Sequence, residues 1–262
     1  MLALVTAVAA DGLDPDLEPL ARELRRRCRT SDLDGDIDDG GVDGAGEGVV
    51  VVAWDDPDVD WSSFDAAIVR STWDYTERLG EFLDWVDRVG GTTRLINGPD
   101  VVRWSTDKRY LAALAAVGIP VAPTRFIDPA ASPVDRHGDG DLADDLGLAD
   151  DLGLADDGDP ADDLARLAAS GTLTVVKPTV GAGSSGARRC VGHDIARHVA
   201  ALHELGHTAM VQPYLRGLDE HGETALCFVP DHDGGVRFSH GFRKGAILTS
   251  TEVEQVGDLY AK

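Results

Sequence analysis

The sequence predicts an α/β protein, because short apolar runs alternate along the chain with longer segments of helical periodicity. An uninterrupted run of about four to eight apolar residues is typical of a buried strand, and apolar residues on one face of a 3.6-residue repeat are typical of a helix. Strands that alternate with helices favour a parallel sheet covered by helices. At 262 residues the chain is long enough for one large domain or two small ones.

The first domain is predicted over residues 1–97. Its strands are expected at residues 2–8, 49–54 and 66–69, where apolar residues follow one another without interruption. Helices are expected at residues 16–29 and 82–89, where leucine, alanine, phenylalanine, tryptophan and valine recur at helical spacing. This order predicts a parallel sheet in an α/β domain that ends near Asn97.

The second domain is predicted over residues 98–262 and mixes helices with strands, as α+β lobes do. A helix at residues 105–117 is expected to end before Gly118 and Pro120, because both residue types stop helices. The remaining expected elements are strands at 172–177, 187–191 and 209–212, a helix at 194–205, and a hairpin of 223–229 with 236–240.

Two acidic segments, residues 31–48 and 128–162, are interpreted as insertions into these domains. The first is almost entirely Asp and Gly, and the second repeats the six residues Ala-Asp-Asp-Leu-Gly-Leu from Ala143 and again from Ala149. Two clean copies are too few to build a repeat fold, and the composition is that of a disordered, solvated segment. We therefore expect no chemistry from either insertion.

The charge of the chain narrows the choice of partners. Asp and Glu number 47 against 24 Lys and Arg, which gives a formal net charge of −23. This field repels phosphate backbones and disfavours a nucleic-acid partner. The acids are mostly Asp and only four bases are Lys. Such a chain repels itself unless salt at about 1 M shortens the Debye length to about 3 Å, which predicts a halophilic protein.

The cysteines and the hydropathy pattern indicate a cytoplasmic protein without a membrane partner. Cys28, Cys190 and Cys227 are widely spaced and form no CxxC pair, which argues against a disulfide framework and a cysteine zinc site. The apolar start of the chain lacks the basic residues of a signal peptide and is interpreted as a buried strand. No run approaches the roughly 20 apolar residues that a transmembrane helix needs. The pattern does not indicate the oligomeric state.

A glycine- and serine-rich loop at residues 181–186 follows the apolar run that ends at Lys177. Glycines let backbone N–H groups approach a phosphate, and serines add hydroxyl donors. The loop also spells GxGxxG, but a dinucleotide-binding loop is followed directly by a helix, and a strand is predicted here instead. A nucleoside triphosphate therefore fits the loop better than a dinucleotide, and an ordinary hairpin turn is the alternative.

His203 and His207 complete the sequence HExxH. Two histidines at this spacing on one helix face bind zinc, with the glutamate, here Glu204, as general base. Gly206, however, is typical of a helix end, which would place the end of the helix at its second ligand. A solvated helix C-terminus, where the helix dipole favours histidine, is the interpretation that we prefer to a zinc peptidase.

Three of the four lysines lie beside predicted loops. Lys108 follows Asp107, Lys177 precedes the glycine loop, and Lys244 follows Arg243 at the end of the hairpin. The chain uses arginine for most of its other positive charge, and a compact ammonium is a good partner for phosphate oxygens. These lysines are therefore candidate phosphate ligands.

Taken in order, these features resemble the ATP-grasp superfamily, in particular its RimK and glutathione-synthetase type of ligase and the cycloserine-biosynthesis branch. The matching segments are 69–75, Asn97, Trp104, 107–108, 118–124, 176–178, 181–186, 211–213, 222–223, 239–240 and Lys244. The resemblance implies a Rossmann-like preATP-grasp domain followed by a two-lobed ATP-grasp domain. On this resemblance, the last lobe is expected to be incomplete within the 262 residues.

The resemblance also implies which residues bind the phosphates of ATP. Lys108 and Lys177 would hold the α- and β-phosphates. The glycine loop would close over the β- and γ-phosphates through Gly181, Gly183, Ser184, Ser185 and Gly186.

Further residues are implied for the rest of ATP and for the substrate. A hinge reading adenine through backbone hydrogen bonds would consist of Gln212, Tyr214 and Leu215, and Glu223 would take the ribose hydroxyls. Arg243 and Lys244 would face the transferred phosphate, and Arg70 a substrate carboxylate. A loop packed by Trp73 and Tyr75 is the alternative for the segment around Arg70.

Ligases of this type activate a carboxylate with ATP to an acyl phosphate, which an amine then attacks. Such chemistry rests on positioning and charge neutralisation, which cations and backbone donors supply. The predicted function is therefore ATP-dependent ligation of a small-molecule carboxylate to an amine, with ATP and Mg²⁺ as cofactors. A non-catalytic nucleotide-binding protein is the alternative.

The resemblance implies that the Mg²⁺ ligands, a Glu closely followed by an Asn, come after the position of Lys244. Residues 245–262 contain Glu252, Glu254 and Asp258 but no Asn, and Asp231 and Asp233 lie in a predicted turn. The sequence therefore predicts a truncated protein without a complete magnesium site. It also predicts weak ATP binding, little or no turnover, and exposed apolar surface near the end of the chain.

Overall fold

The computed structural model of the chain describes residues 1–31, 48–129, 160–231 and 233–245. The predicted insertions at 31–48 and 128–162 lie almost wholly outside these residues. The edges of the second insertion are ordered, because the Asp128 carboxylate accepts a 2.6 Å hydrogen bond from Thr208 and a helix begins at Pro160. Residues at both ends of the predicted second insertion thus belong to the ordered structure.

The chain forms two compact units, and the division between them falls after Asp107, not near Asn97. The difference arises from a helix at Pro99–Thr106, which packs against the preceding helix of the first unit. Arg103 of this helix donates to Asp87 at 2.5 Å, and Val102 joins the core of the first unit.

The first unit contains a parallel sheet of four strands. These are β1 (Leu2–Thr6), β2 (Val49–Ala53), β3 (Ala66–Ser71) and β4 (Arg94–Ile96), in the order β2-β1-β3-β4. In this register Leu4 lies between Val51 and Ile68. The three predicted strands and the parallel sheet are confirmed, whereas β4 was not predicted, because three residues show no periodicity.

Helices α1 (Leu17–Ser31), α2 (Leu79–Gly90) and α3 (Pro99–Thr106) accompany this sheet. The predicted helices at 16–29 and 82–89 are confirmed. Helix α2 buries Phe82, Trp85, Val86 and Val89 in one core with residues of β1 and β3. Spacing of three and four residues places these side chains on one helix face, which is why the pattern was visible in the sequence.

The predicted helix at 105–117 is wrong as a single element. Helix α3 ends at Thr106, and α4 (Tyr110–Ala116) begins four residues later, in the second unit. Asp107 has an extended backbone, and the Lys108 N–H donates to the Thr179 carbonyl oxygen at 3.0 Å, outside any helix. A tertiary hydrogen bond thus interrupts a segment whose local periodicity favours a helix.

The second unit contains an antiparallel sheet of four strands, with the order β5-β8-β6-β7. Its strands are β5 (Arg125–Ile127), β6 (Thr174–Pro178), β7 (Arg188–Cys190) and β8 (Ala209–Pro213). Helices α5 (Pro160–Ser170) and α6 (His193–Glu204) cover one face. The core under these helices consists of Ile127, Leu167, Val176, Cys190, Ile195, Val199, Leu202, Ala209 and Val211.

The opposite face of this sheet carries the polar residues. Along β6, Thr174, Val176 and Pro178 are fully buried while Val175 and Lys177 are half-buried, as the twofold alternation of a strand requires. The register pairs Lys177 with Met210, and Val175 with both Gln212 and Arg189. Paired residues share a face, so we name the surface formed by Val175, Lys177, Arg189, Met210 and Gln212 the polar face.

A short helix, α7 (Gly217–His221), leads into a hairpin of β9 (Glu223–Pro230) and β10 (Val236–Lys244). Gly222 has a φ of +70°, and a Cβ atom there would lie 2.3 Å from the Lys244 carbonyl oxygen, so the entry to the hairpin requires glycine. Leu226, Phe228 and Phe238 of this hairpin are more than half exposed. None of the helices in the described ranges is long and apolar enough to cross a bilayer.

Candidate functional site

Lys108 stands just before α4 and is held against the start of the glycine loop. Its ammonium donates to the carbonyl oxygens of Thr179 and Gly181, at 3.1 and 2.7 Å. Its own N–H also bonds to Thr179, whose N–H in turn donates to Thr208. The structure thus brings the predicted phosphate ligand Lys108 to the predicted phosphate loop.

The loop itself joins the antiparallel strands β6 and β7, and no helix follows it. This excludes the dinucleotide-binding arrangement that GxGxxG suggests. Gly183, Ser184 and Gly186 have φ values of +58°, +63° and +71°. For Ser184 this backbone costs about 1 kcal/mol or more. Left-handed residues turn successive N–H groups toward one side, which is how backbone nests bind anions.

Three N–H groups of the loop are available to such an anion. Ser185 and Ala187 donate within the loop, at 3.0 Å each. The N–H groups of Gly183, Ser184 and Gly186 donate to no acceptor among the residues that the structure describes. Such donors bind phosphate oxygens well, because each is already held in place by the turn.

His198 of α6 fixes the far end of the loop. Its Nε2 lies 2.8 Å from the carbonyl oxygen of Gly186, and its side chain is buried. Because the partner is a carbonyl, Nε2 must carry the proton and donate it. Sequence analysis did not predict this residue.

Lys177 is the second of the two half-buried residues of β6 and belongs to the polar face. No hydrogen bond or ion pair reaches its ammonium from the described part of the chain. Burial lowers the pKa of Lys177 below its ordinary value, and the negative charge of Glu223 partly opposes this effect. A half-buried ammonium without an acceptor among the described residues is a site that an incoming phosphate would stabilise.

The three predicted adenine-binding residues occupy different environments. Gln212 is buried in β8, where its amide donates to Thr124 Oγ1 at 2.7 Å. The Tyr214 N–H donates to the carbonyl oxygen of Leu173 at 2.9 Å, so it is not available to a ligand. Leu215 is half exposed, and its N–H meets no acceptor among the described residues. Of the three N–H groups, that of Leu215 fits the predicted role best.

Glu223, Arg243 and Lys244 lie at the open end of the hairpin. Glu223 pairs with Lys244 in the ladder, and the Lys244 ammonium lies 3.9 Å from a Glu223 carboxylate oxygen. Arg243 is the next residue on β10, opposite Thr224. The structure therefore brings Glu223 and Lys244 together, and the charge of Glu223 acts on Lys177.

The HExxH sequence does not form a zinc site within the described residues. Helix α6 ends at Glu204, and His207 lies beyond it. The His203 Nε2 instead lies 3.0 Å from the Ile127 carbonyl oxygen. In the described ranges no group of three His, Cys, Asp or Glu side chains is placed to hold a metal ion, so Mg²⁺ also has no ligand set among them.

Arg70 lies in the first unit, at the end of β3. Asp14, which follows β1, has a side chain only 1% exposed and accepts hydrogen bonds from Arg70 Nε at 3.1 Å and Ser71 Oγ at 2.5 Å. Asp16 lies 3.7 Å from Arg70 Nη2. Strands β2 and β3 lie on either side of β1, so the strand order reverses direction at β1. Ligands of open α/β sheets bind at such a switch point.

The charges at this switch point are unequal, because Asp14 and Asp16 face one guanidinium. Burial raises the pKa of Asp14, but hydrogen bonds from Ser71, the Asp16 N–H and Arg70 outweigh it and leave that pKa below the ordinary value. Asp14 is therefore ionised and fixes the Nε side of Arg70. Neither Nη group donates a hydrogen bond to a described residue, although Nη2 forms a long ion pair with Asp16.

Sequence analysis missed Asp14, His198 and Arg189 of the polar face. An acid just beyond the first strand of a parallel sheet is a usable signal for Asp14. His198 and Arg189 left no local signal, because their partners lie 12 and 25 to 30 residues away.

A family model and a curated protein that match this chain both carry the name DcsG. The family described as the N-terminal domain of D-cycloserine synthetase DcsG matches residues 32–97. The cycloserine biosynthesis protein DcsG of Streptomyces lavendulae is 36% identical over 251 residues, which cover 95% of this chain and 68% of that protein.

Two solved structures resemble the chain. The crystal structure of D-cycloserine synthetase DcsG superposes with a TM-score of 0.65 at 34% identity, over 94% of this chain and 68% of that one. The structure of D-alanyl-alanine synthetase A from Vibrio cholerae superposes with a TM-score of 0.53 at 12% identity, over 94% of this chain and 67% of that one. At the second identity the likeness concerns the fold alone.

Proposed function

Because the chain belongs to the D-cycloserine synthetase branch of the ATP-grasp ligases, we propose that it binds ATP in its second unit and activates a small amino-acid carboxylate. The family and the α/β fold class predicted from the sequence are thereby confirmed. The observation that carries the proposal is the half-buried ammonium of Lys177, which has no partner among the described residues, on the strand that leads into a loop where the N–H groups of Gly183, Ser184 and Gly186 likewise meet no described acceptor.

The residues present fit a triphosphate. ATP, when bound, supplies the phosphoryl group that converts a carboxylate into an acyl phosphate, which an amine or related nucleophile then attacks. Lys177 would neutralise phosphate charge, and Lys108 would hold the entry of the loop. The N–H groups of Gly183, Ser184 and Gly186 would bind phosphate oxygens. These groups are held before the ligand arrives, so little reorganisation opposes binding.

The remaining roles belong to the hinge and the hairpin. The Leu215 N–H would donate to adenine, and Glu223 would accept from the ribose hydroxyls. Lys244 and Arg243 would face the terminal phosphate. Mg²⁺, the usual counter-ion of ATP, has no ligand set among the described residues.

In the first unit, Arg70 would bind the substrate carboxylate. With Nε held by Asp14, its two Nη groups present the fork that carboxylates bind in a bidentate manner. Asp16 would accept from the ammonium of the same ligand, because it lies 3.7 Å from Arg70 Nη2. The pair therefore suits a zwitterionic amino acid, the class to which the substrate would belong.

Titration calorimetry with a non-hydrolysable ATP analogue tests the nucleotide site. Replacing Lys177→Met removes the ammonium at similar length, and we expect the affinity to fall at least roughly tenfold. Arg197→Met, an exposed cation on α6, is the matched control and should leave the affinity unchanged. The measurement is made at roughly 1 M KCl, where the acidic surface is screened. Equal affinities for the unmodified chain and Lys177→Met would contradict the proposal.

A further inference from the structure

Arg189 of β7 joins three separate segments of the second unit through one guanidinium. Its Nη2 donates to the phenol oxygen of Tyr214 and, at 2.6 Å, to Asp219 Oδ1. The Arg189 side chain is 11% exposed, whereas the Asp219 side chain is 44% exposed, so the arginine end of this contact is shielded from water and the carboxylate end is not. A charge-assisted hydrogen bond to a guanidinium held in this way is stronger than one between two fully exposed groups.

Tyr214 and Asp219 also bond to each other, which closes a ring of three contacts. The Tyr214 phenol donates to Asp219 Oδ1 at 2.5 Å, and the Arg189 guanidinium carbon lies 3.9 Å from the centroid of the tyrosine ring. Burial raises the pKa of Tyr214 above its ordinary value, and the hydrogen bond to Asp219 adds to this, so the phenol keeps its proton. We name these three residues the hinge clamp.

The hinge clamp encloses the segment that was assigned to adenine. Tyr214 directly precedes Leu215, and Asp219 lies four residues beyond Leu215, inside α7. One guanidinium therefore fixes both ends of the segment whose unpaired N–H is offered by Leu215. Arg189 also shares the polar face of the sheet with Lys177 and pairs in register with Val175.

Arg189 is not the residue that packing alone would favour. Its Nε is enclosed and has no acceptor among the described residues. A buried donor without a partner is destabilising, and an apolar residue of similar volume would avoid that penalty. The hydrogen bonds of the guanidinium thus come from Nη2, which donates to Tyr214 and Asp219.

We propose, building on the nucleotide site proposed above, that Arg189 is a positioning residue that sets the affinity for the adenosine part of ATP by fixing the Leu215 backbone through the hinge clamp. The hydrogen bonds of the Arg189 guanidinium go to Tyr214 and Asp219, not to the glycine loop. Its loss therefore affects recognition of adenosine and leaves recognition of the triphosphate unchanged. A residue that only supported the fold would affect both parts alike.

The test compares an ATP analogue with inorganic tripolyphosphate, each titrated into the full chain at high salt. For Arg189→Ala we expect the ATP analogue to bind about tenfold more weakly and tripolyphosphate to bind within about twofold of the unmodified chain. Arg189→Lys, which keeps a charge but not the fork, should recover part of the loss. Arg188→Ala, the neighbouring position on the other side of β7, is the matched control and should change neither affinity.

Tyr214→Phe provides a second variant that removes a single oxygen atom, should Arg189→Ala fail to fold. We expect it to weaken the ATP analogue several-fold and to leave tripolyphosphate unchanged. Unchanged ATP-analogue binding in the folded variants, or an equal loss for both probes, would overturn the role of Arg189 alone. The role of Arg189 would also be overturned if the unmodified chain bound the ATP analogue no more tightly than tripolyphosphate. Failure of the unmodified chain to bind either probe would overturn the proposed function and this inference with it.

Discussion

The ammonium of Lys108 lies 2.7 Å from the carbonyl oxygen of Gly181, although 73 residues separate them in sequence. The contact places a cation at the first residue of a loop in which the N–H groups of Gly183, Ser184 and Gly186 meet no acceptor among the described residues. It also explains why the chain leaves a helical path at Asp107, because Lys108 is bound to Thr179 through both its backbone and its side chain. One lysine thus shapes the start of the second unit and the phosphate loop together.

Affinity for the ATP analogue is expected to decline on the alkaline side. Burial lowers the pKa of Lys177 below its ordinary 10.5, with Glu223 opposing, and a bound phosphate would raise this pKa by favouring the charged ammonium. Binding is therefore strongest below the pKa of Lys177 in the unbound chain. It weakens by up to about tenfold per pH unit between that pKa and the higher pKa of the complex.

Calorimetry over neutral to alkaline pH, repeated in buffers of different ionisation enthalpy, measures this decline and the accompanying proton uptake. Lys177→Met is the control, because it should show weaker binding without that proton uptake. Proton uptake of the same size in the variant would assign the effect to another group.

The sequence could predict the parts of the fold that depend on local periodicity. The strands β1, β2 and β3 and helices α1, α2 and α6 all follow apolar patterns of adequate length. Strands β4 and β5 have three residues each and show no period. The break between α3 and α4 could not be read locally, because a contact with Thr179 causes it.

The residues of the candidate site likewise fall into those that a local motif predicts and those that act through partners distant in sequence. The glycine loop and Lys177 are adjacent in sequence, so their joint role was visible as a motif. Arg189 and His198 act through partners brought close only by the sheet and by α6. Asp14 reaches Arg70 across 56 residues, because β1 and β3 are neighbours in the sheet.

Asp14→Asn is expected to destabilise the first unit by about 1–3 kcal/mol, because Arg70 and Ser71 lose a buried carboxylate partner. The pKa of Asp14 is lowered on folding: burial raises it, but the bonds from Ser71, Asp16 and Arg70 prevail. Its stabilisation is thus present above the unfolded pKa of about 3.9 and is lost as the pH falls through the folded pKa. The difference between variant and unmodified chain should therefore shrink in acid.

Tryptophan fluorescence during urea unfolding measures this effect in the first unit alone, because all five tryptophans precede Lys108. Asp16→Asn is the matched control and should stay within about 0.5 kcal/mol, since Asp16 is exposed. Equal effects of the two substitutions would contradict the buried role of Asp14.

His198→Leu is expected to loosen the end of the glycine loop, because the Gly186 carbonyl oxygen loses its donor. We expect a loss of about 1–3 kcal/mol in stability and roughly three- to tenfold weaker binding of tripolyphosphate. Calorimetry and thermal unfolding give the two quantities. His193→Leu, an exposed position on the same helix, should change neither, and a loss of stability without any loss of affinity would show that the contact supports only the fold.

Purified protein is expected to contain no stoichiometric zinc, and the two histidines of HExxH should differ in their effects. His203→Ala removes the partner of the Ile127 carbonyl oxygen and should cost about 1 kcal/mol. His207 lies beyond the end of α6, so His207→Ala should cost less. A zinc site would behave differently, because both histidines would be ligands and either substitution would remove the metal. Elemental analysis of the three proteins, paired with their unfolding free energies, decides between the two arrangements: near one zinc per chain, lost equally in both variants, would establish the metal site.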